Sequence, residues 1–259
     1  MSTITSNRPQ NGSLVKAFAL LEFFSNQKKQ WGVRELSRHI GANESTTYRM
    51  MATLESLDIL YKNPETEKYA LGLKLYELGN RVDINASFIH LTHPELERVA
   101  LEIEETVHLG ILRNNKVLMV DKVESSMGLR LDSSVGQMSP IHCTGIGKVL
   151  VAFGDNMITS FLKSYDYVRF TEKTIINKAD FDKELRKIKK QFYAIDDQEF
   201  EQGLICVAVP VFNKKNDLVA SLSAAGPSVR FKKDSLLEYV SILTKGANAI
   251  QQNIGNYKI

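Results

Sequence analysis

The feature that most limits how this chain folds is a change of hydrophobic period partway along it. Up to Thr106 most apolar residues recur at helical spacing; from Val107 they gather in short strand-like runs parted by polar turns. A mostly helical stretch followed by strands interspersed with helices is two folding units, and the expected class is α+β. The length of 259 residues suits two modest domains.

The first unit carries a recognisable motif. Ser13–Ser25 reads as a helix capped by Ser13, with Leu14, Phe18, Leu21 and Phe24 on one face. A short helix follows over Val33–Ile40, and Gly41 ends it. Asn43 caps a third helix, Glu44–Leu57, whose inner face is Thr47, Met51, Leu54 and Leu57. Two helices joined by a short Gly-containing turn form a helix-turn-helix. The third helix leaves Ser45, Thr46, Arg49 and Thr53 on its other side, short donors and a long cation that suit base edges and phosphates. Ile59–Lys62 and Lys68–Leu71 then flank a polar turn, a hairpin wing with Lys62 and Lys68 at its base. A helix-turn-helix alone serves equally well as a packing unit; the wing shifts the balance to DNA.

Charge supports this only weakly. The chain carries 33 Lys+Arg against 30 Asp+Glu, a formal +3 that by itself points away from nucleic acid. The excess sits in residues 1–62, so binding would rest on a few placed cations: Arg49, Lys62, Lys68, Arg34 and Arg38. Two cysteines, Cys143 and Cys206, exclude a disulfide framework, and no short ligand spacing suggests a metal. No apolar run is long enough for a membrane span, and the polar start lacks a signal peptide's apolar stretch, so a cytoplasmic protein is expected.

Further along, Leu73, Leu75, Tyr76, Leu78, Val82, Ile84 and Phe88 make an apolar helical pattern interrupted by Gly79. It reads as a linker helix that also supports dimerisation, or as a cap on the N-terminal domain. His93-Pro94 breaks it and opens a helix over Glu95–Thr106 with Leu96, Val99, Ala100 and Ile103 on one face. Strands are expected over Val107–Leu112, Val117–Val123, Gly128–Leu131, Leu204–Phe212 and Leu218–Ala225. Helices are expected over Gly145–Ala152, Asp155–Ser164, Lys178–Phe192 and Ser235–Ile254. A twisted antiparallel sheet flanked by helices satisfies this order. The domains are then a disordered tail (1–12), a winged helix-turn-helix (13–72), a linker helix (73–92) and an effector-binding and oligomerisation domain (93–259).

In that last domain Thr144-Gly145-Ile146-Gly147 leads straight into a helix, whose free N–H groups and dipole suit a carboxylate. It is not a Walker loop, which would need Gly at His142 and Ser or Thr at Val149. Cys206 and Ser223 lie on neighbouring strands as small polar contacts, and Asp196 is placed to accept a ligand hydroxyl proton. Plainer readings exist: the cysteines as small buried hydrophobes, the acidic run Asp196–Glu201 as a solvated turn, and Arg230 as a helix-capping cation.

Four segments together resemble the IclR-type bacterial transcription regulators: Ser45-Thr46-Thr47-Tyr48-Arg49 with Lys68–Gly72, then Gly136–Lys148, Asp196–Pro210 and Ser221–Arg230. They occur in the family's order over roughly residues 13–255. Glu105–Gly110 and Thr171–Ile175 look closest to its KdgR-like branch, which senses 2-keto-3-deoxygluconate. The resemblance implies a GAF-like effector domain in which Thr144, Gly145, Ile146, Asp196, Cys206 and Ser223 hold a small organic or sugar acid. It also implies a homodimer, or dimer of dimers, on a pseudo-palindromic double-stranded operator, with no cofactor. Two positions depart from the family pattern. Glu44 stands where a basic residue is common, and Ala225 replaces a serine, a loss of about 1 kcal/mol of hydrogen bonding to a ligand that would favour a bulkier or less polar one.

The function expected is a DNA-binding regulator, a repressor, controlling sugar-acid catabolism. The alternative is an enzyme acting on a keto or hydroxy acid, with Asp196 or Glu199 as base and the Thr144-Gly145 turn as oxyanion site. That reading leaves the winged helix idle and lacks a nucleophile or cofactor motif, so no catalysis is expected.

Overall fold

A computed structural model describes residues 11–25, 28–82, 88–127, 133–155, 161–231 and 235–258. The chain divides into two compact units, Met1–Asp83 and Ile84–Ile259.

In the first unit, helix α1 (Gly12–Leu21) is capped not by Ser13 but by Asn11, whose side chain accepts from the Ser13 and Leu14 N–H groups. The helix turns a different face inward than its spacing suggests. Leu20 and Phe24 are buried with Trp31, Leu36, Met51, Leu60 and Tyr69, whereas Leu14 and Phe18 are 59% and 67% exposed. A ten-residue helix with apolar residues on two sides does not reveal which side packs.

Helices α2 (Val33–Ile40) and α3 (Glu44–Ser56) flank Gly41, whose φ of 64° lies in the left-handed region that glycine adopts without strain. Asn43 caps α3 as expected, and Thr47 and Met51 are fully buried; Leu57 is 59% exposed because it caps the helix end rather than facing the core. Strands β1 (Leu60–Lys62) and β2 (Tyr69–Leu71) pair antiparallel as the wing. Trp31 bridges to Tyr69 beside them, and its indole N–H donates to the Phe23 carbonyl at 2.9 Å, tying the segment after α1 to the wing.

The 20-residue linker helix is not what forms. Helix α4 spans only Leu73–Gly79, and at its end Asn80 donates both its backbone N–H and its Nδ2 to the Tyr76 carbonyl, each at 3.0 Å. Residues 83–87 lie outside the described residues. Helix α5 (His90–Ile103) runs through Pro94 rather than starting at it, and Phe88 before it is buried in the second unit's core. Pro94 removes one backbone bond near the helix start, while burial of Leu96, Val99, Ala100 and Ile103 on the sheet outweighs that loss.

The second unit is a six-stranded, wholly antiparallel sheet in the order β5-β4-β3-β8-β7-β6. Its strands are β3 (Thr106–Arg113), β4 (Lys116–Val123), β5 (Met138–Ser139), β6 (Ala194–Asp197), β7 (Leu204–Phe212) and β8 (Leu218–Pro227). The expected strand Gly128–Leu131, residues 156–160 of the expected helix Asp155–Ser164, and residues 1–10 of the expected tail lie outside the described residues. Strands β5 and β6 were not expected; both are short, and β6 is acidic where it meets the pocket.

Alternation along the central strands sorts the side chains. Val107, Leu109, Ile111, Val207, Val209, Leu222 and Ala224 face α5 and the last helix, α8 (Leu236–Ile254). The opposite face is covered by α6 (Gly145–Phe153), with α7 (Lys178–Gln191) packed against α6. Pro210 is tolerated in β7 because β6 stops at the Ala208 register, so no strand pairs beside it on that side.

Candidate ligand pocket and DNA-facing helix

Helix α6 starts pressed against the chain. A Cβ on Gly147 would lie 2.5 Å from Ile141 Cα, so only glycine permits this approach. Thr144 caps the helix: its hydroxyl donates to the Pro140 carbonyl at 2.7 Å and accepts from the Gly147 N–H at 3.2 Å. Its side chain is thereby committed to the cap. The Gly145 and Ile146 N–H groups, which have no acceptor within the helix, are left at the mouth of a cavity of about 80 Å³. All six residues expected to hold an effector line that cavity: Thr144, Gly145, Ile146, Asp196, Cys206 and Ser223.

The sheet explains why residues so far apart in sequence meet. Asp196 pairs with Cys206 across β6 and β7, Cys206 with Ala225 across β7 and β8, and Ser223 with His108 across β8 and β3. Side chains directly opposite in register share a face, here the face under α6. Ala225, where the family pattern has serine, lines the cavity as well.

Burial keeps two titratable groups of the pocket neutral. Burial pushes the Cys206 thiol up to about 12 and holds the His108 imidazole down at about 3, so both are neutral at pH 7. Ser223 is 1% exposed; its hydroxyl lies beside the Cys206 thiol but makes no hydrogen bond of acceptable geometry. A buried hydroxyl without a partner costs stability unless a ligand satisfies it.

Burial also pushes the Asp196 carboxyl up, from 3.8 to about 7, against the opposing pull of Lys148 and of the Glu199 N–H it accepts at 2.7 Å. The folded state therefore holds a proton that the unfolded state releases between about pH 4 and 7. Stability contributed by this proton is complete at low pH and is lost as pH rises through that window. Asp196→Asn removes the effect. Its stability relative to the parent is expected to grow with pH by up to about 4 kcal/mol between pH 4 and 8. Superimposable pH profiles of thermal unfolding for the two proteins would refute this.

Behind Asp196 lies a group that sequence reading passed over. Lys148, on α6, is fully buried; its ammonium donates to Glu199 Oε1 at 2.5 Å and to the Ile195 carbonyl, with Glu184 at 3.8 Å. The signal was present, since a lone lysine inside the apolar run Gly145–Phe153 must be buried and so must be paired. Glu199 is thus held by Lys148, Asp196 accepts from the Glu199 N–H of its own loop, and the Thr144 hydroxyl is used as a cap. Arg230 is no helix cap: it forms a two-pronged bond to Glu105, 2.8 Å on each arm, joining the chain after β8 to the start of β3.

In the N-terminal unit, Ser45, Thr46, Arg49 and Thr53 are exposed on α3, as expected. Two of these hydroxyls are engaged: Ser45 with Asn43 Oδ1 at 3.0 Å and Thr53 with the Arg49 carbonyl at 2.8 Å. Of the five cations, Arg34 is paired with Glu44 at 3.3 Å and Lys62 with Glu67. Arg38, Arg49 and Lys68 are exposed and form no ion pair among the described residues. Tyr48, not singled out from the sequence, is 54% exposed on the same helix. Among the described residues no helix is long and apolar enough to cross a membrane.

Known proteins match both units. Residues 13–64 match the model of the IclR helix-turn-helix domain, and residues 82–252 that of the bacterial transcriptional regulator IclR C-terminal domain. The chain is 34% identical over 244 residues to the HTH-type transcriptional regulator KdgR of Escherichia coli (94% of this chain, 92% of the relative). It is also 34% identical to KdgR of Dickeya chrysanthemi (94% and 80%), which supports the KdgR-like branch. The crystal structure of Thermotoga maritima IclR superposes with a TM-score of 0.73 at 29% identity, covering 94% of this chain and 98% of that one. These relatives are transcriptional regulators, not enzymes. With both of its domains matched and in the same order, the chain belongs to the IclR family of bacterial transcriptional regulators.

Proposed function

We propose that this regulator is a repressor whose second unit senses a small organic or sugar acid, and that occupancy of the cavity beside α6 alters operator binding. One observation carries the reading: a buried hydroxyl without a partner, Ser223, lines the same cavity as the start of α6, where Gly145 and Ile146 have N–H groups without an acceptor within the helix. Carboxylate at the helix start and hydroxyl or keto oxygen toward Ser223 and Asp196 would satisfy the helix N–H groups and the Ser223 hydroxyl. Cys206 adds a neutral, polarisable contact.

The DNA half of the reading rests on α3 and the wing. Ser45, Thr46, Arg49 and Thr53 enter the major groove, with Arg34, Arg38, Lys62 and Lys68 toward phosphates. A homodimer, or a dimer of dimers, sets two such helices one turn of DNA apart on a pseudo-palindrome. Exposed apolar residues on α1 (Leu14, Phe18) and α4 (Leu73, Tyr76) support an oligomer, since water-facing apolar surface of this kind is usually covered. A ligand changes DNA affinity only through its unequal affinity for two arrangements of the dimer. Similarity to KdgR supports sugar-acid catabolism as the controlled process.

The test is a thermal-shift screen of keto, hydroxy and sugar acids on the full chain, followed by anisotropy of labelled DNA from upstream of its own coding region. At least one acid should raise Tm and release DNA. Asp196→Asn and Ser223→Ala should lose that response while binding DNA as before. Loss of DNA binding in these two variants, or an acid-independent DNA affinity, would refute the sensor.

A further inference from the structure

His108 sits at the centre of β3, 4% exposed, on the face that carries the cavity. Its neighbours on that face include Gly110, Val117, Met119 and Ile146, an apolar surround in which an imidazole is costly to bury. Nε2 is satisfied by Ser133 Oγ at 2.8 Å, and the Ser133 carbonyl accepts from Lys122 Nζ at 2.8 Å, which fixes the ring from behind. Among the described residues this is the ring's one hydrogen bond. A neutral imidazole has one N–H and one lone pair. Whichever tautomer meets Ser133, Nδ1 remains as a single uncharged hydrogen-bonding group.

The register puts a second orphan beside it. His108 and Ser223 are direct cross-strand partners of β3 and β8, and Ser223 Oγ is buried without a partner. Two uncharged, unsatisfied groups side by side at one cavity wall fit a ligand atom that both donates and accepts. A hydroxyl does, whereas a methylene leaves both unsatisfied. We infer that His108 is a specificity-determining residue of the sensor, acting with Ser223 to select acids carrying a hydroxyl over their deoxy counterparts.

This rests on the acid-binding reading of the cavity, and the experiment separates the two. Calorimetric titration of the full chain compares matched probes, L-lactate against propionate and L-glycerate against L-lactate. The parent should prefer the more hydroxylated member of at least one pair by about tenfold, the worth of one to two neutral hydrogen bonds. His108→Leu should bring that ratio to within about twofold by weakening the hydroxylated member and sparing the other. His108→Asn, whose amide reaches the Nδ1 position, should keep most of the preference, and Ser223→Ala should lose it. Unfolding temperatures of all variants accompany the titrations, and His108→Asn with Ser223→Ala decides the matter if His108→Leu does not fold. A preference retained in His108→Leu, equal weakening of both members, or a parent without preference overturns the role of His108. A parent that binds none of these acids overturns the acid sensor itself, and this inference with it.

Discussion

Replacing Lys148 with methionine is expected to cost the second unit about 3–5 kcal/mol at pH 7, the usual penalty for leaving a buried carboxylate without its partner. The ammonium is fully buried and is the cation that faces both Glu199 and Asp196, each pushed up by burial toward its protonated form. For a unit of this size the loss lowers Tm by roughly 10 °C. The pH dependence identifies the cause. As pH falls toward 5 the stranded carboxyls take up protons, and the deficit should shrink. The double variant Lys148→Met, Glu199→Leu should recover most of the stability, because it removes both charges and leaves an apolar pair of similar bulk. A deficit that stays constant with pH, or a double variant worse than the single, would show that the lysine's packing rather than its charge matters.

Arg49→Ala is expected to weaken binding to DNA from upstream of the coding region by ten- to a hundredfold in a gel-shift assay, with Tm unchanged. The arginine is exposed at the middle of α3 and forms no ion pair among the described residues, and the proposed dimer would use it twice. Arg34→Ala should cost less, because Glu44 already competes for its guanidinium at 3.3 Å. Glu44→Gln should act in the opposite direction: it frees Arg34, strengthens binding and steepens the salt dependence by about one phosphate contact per protomer. Equal losses for Arg49→Ala and Arg34→Ala would mean that the Arg34–Glu44 pair opens on DNA at no cost. Unchanged affinity in Arg49→Ala would remove α3 from the recognition role.

These pairings also explain how a chain with a formal +3 serves as a DNA-binding regulator. The modest excess in the first unit already counts Glu44 and Glu67, and their pairing with Arg34 and Lys62 leaves Arg38, Arg49 and Lys68 as the unpaired members, among the described residues, of the five cations expected at DNA. Weak electrostatics of this kind place the burden of affinity on geometry, not on long-range attraction.

The sequence by itself determined the helix-turn-helix, the wing, the central antiparallel strands and the six residues placed around the start of α6. Each is a local matter: Gly41 and Asn43 terminate and start helices through their own backbone and side-chain chemistry, and strand runs such as Leu204–Phe212 declare themselves by composition. Tertiary structure alone decided what depends on which surfaces meet. It turned Leu20 rather than Leu14 and Phe18 of α1 inward, and it carried α5 through Pro94 because the sheet rewards burial of that helix more than one lost hydrogen bond costs. It set Lys148 against Glu199, Glu105 against Arg230 and His108 against Ser223, contacts between residues 51, 125 and more than a hundred positions apart. Helical and strand periods record only near neighbours along the chain. Which buried charge finds a partner, and which hydroxyl is left waiting for a ligand, follows from strand register, and register is a property of the assembled sheet.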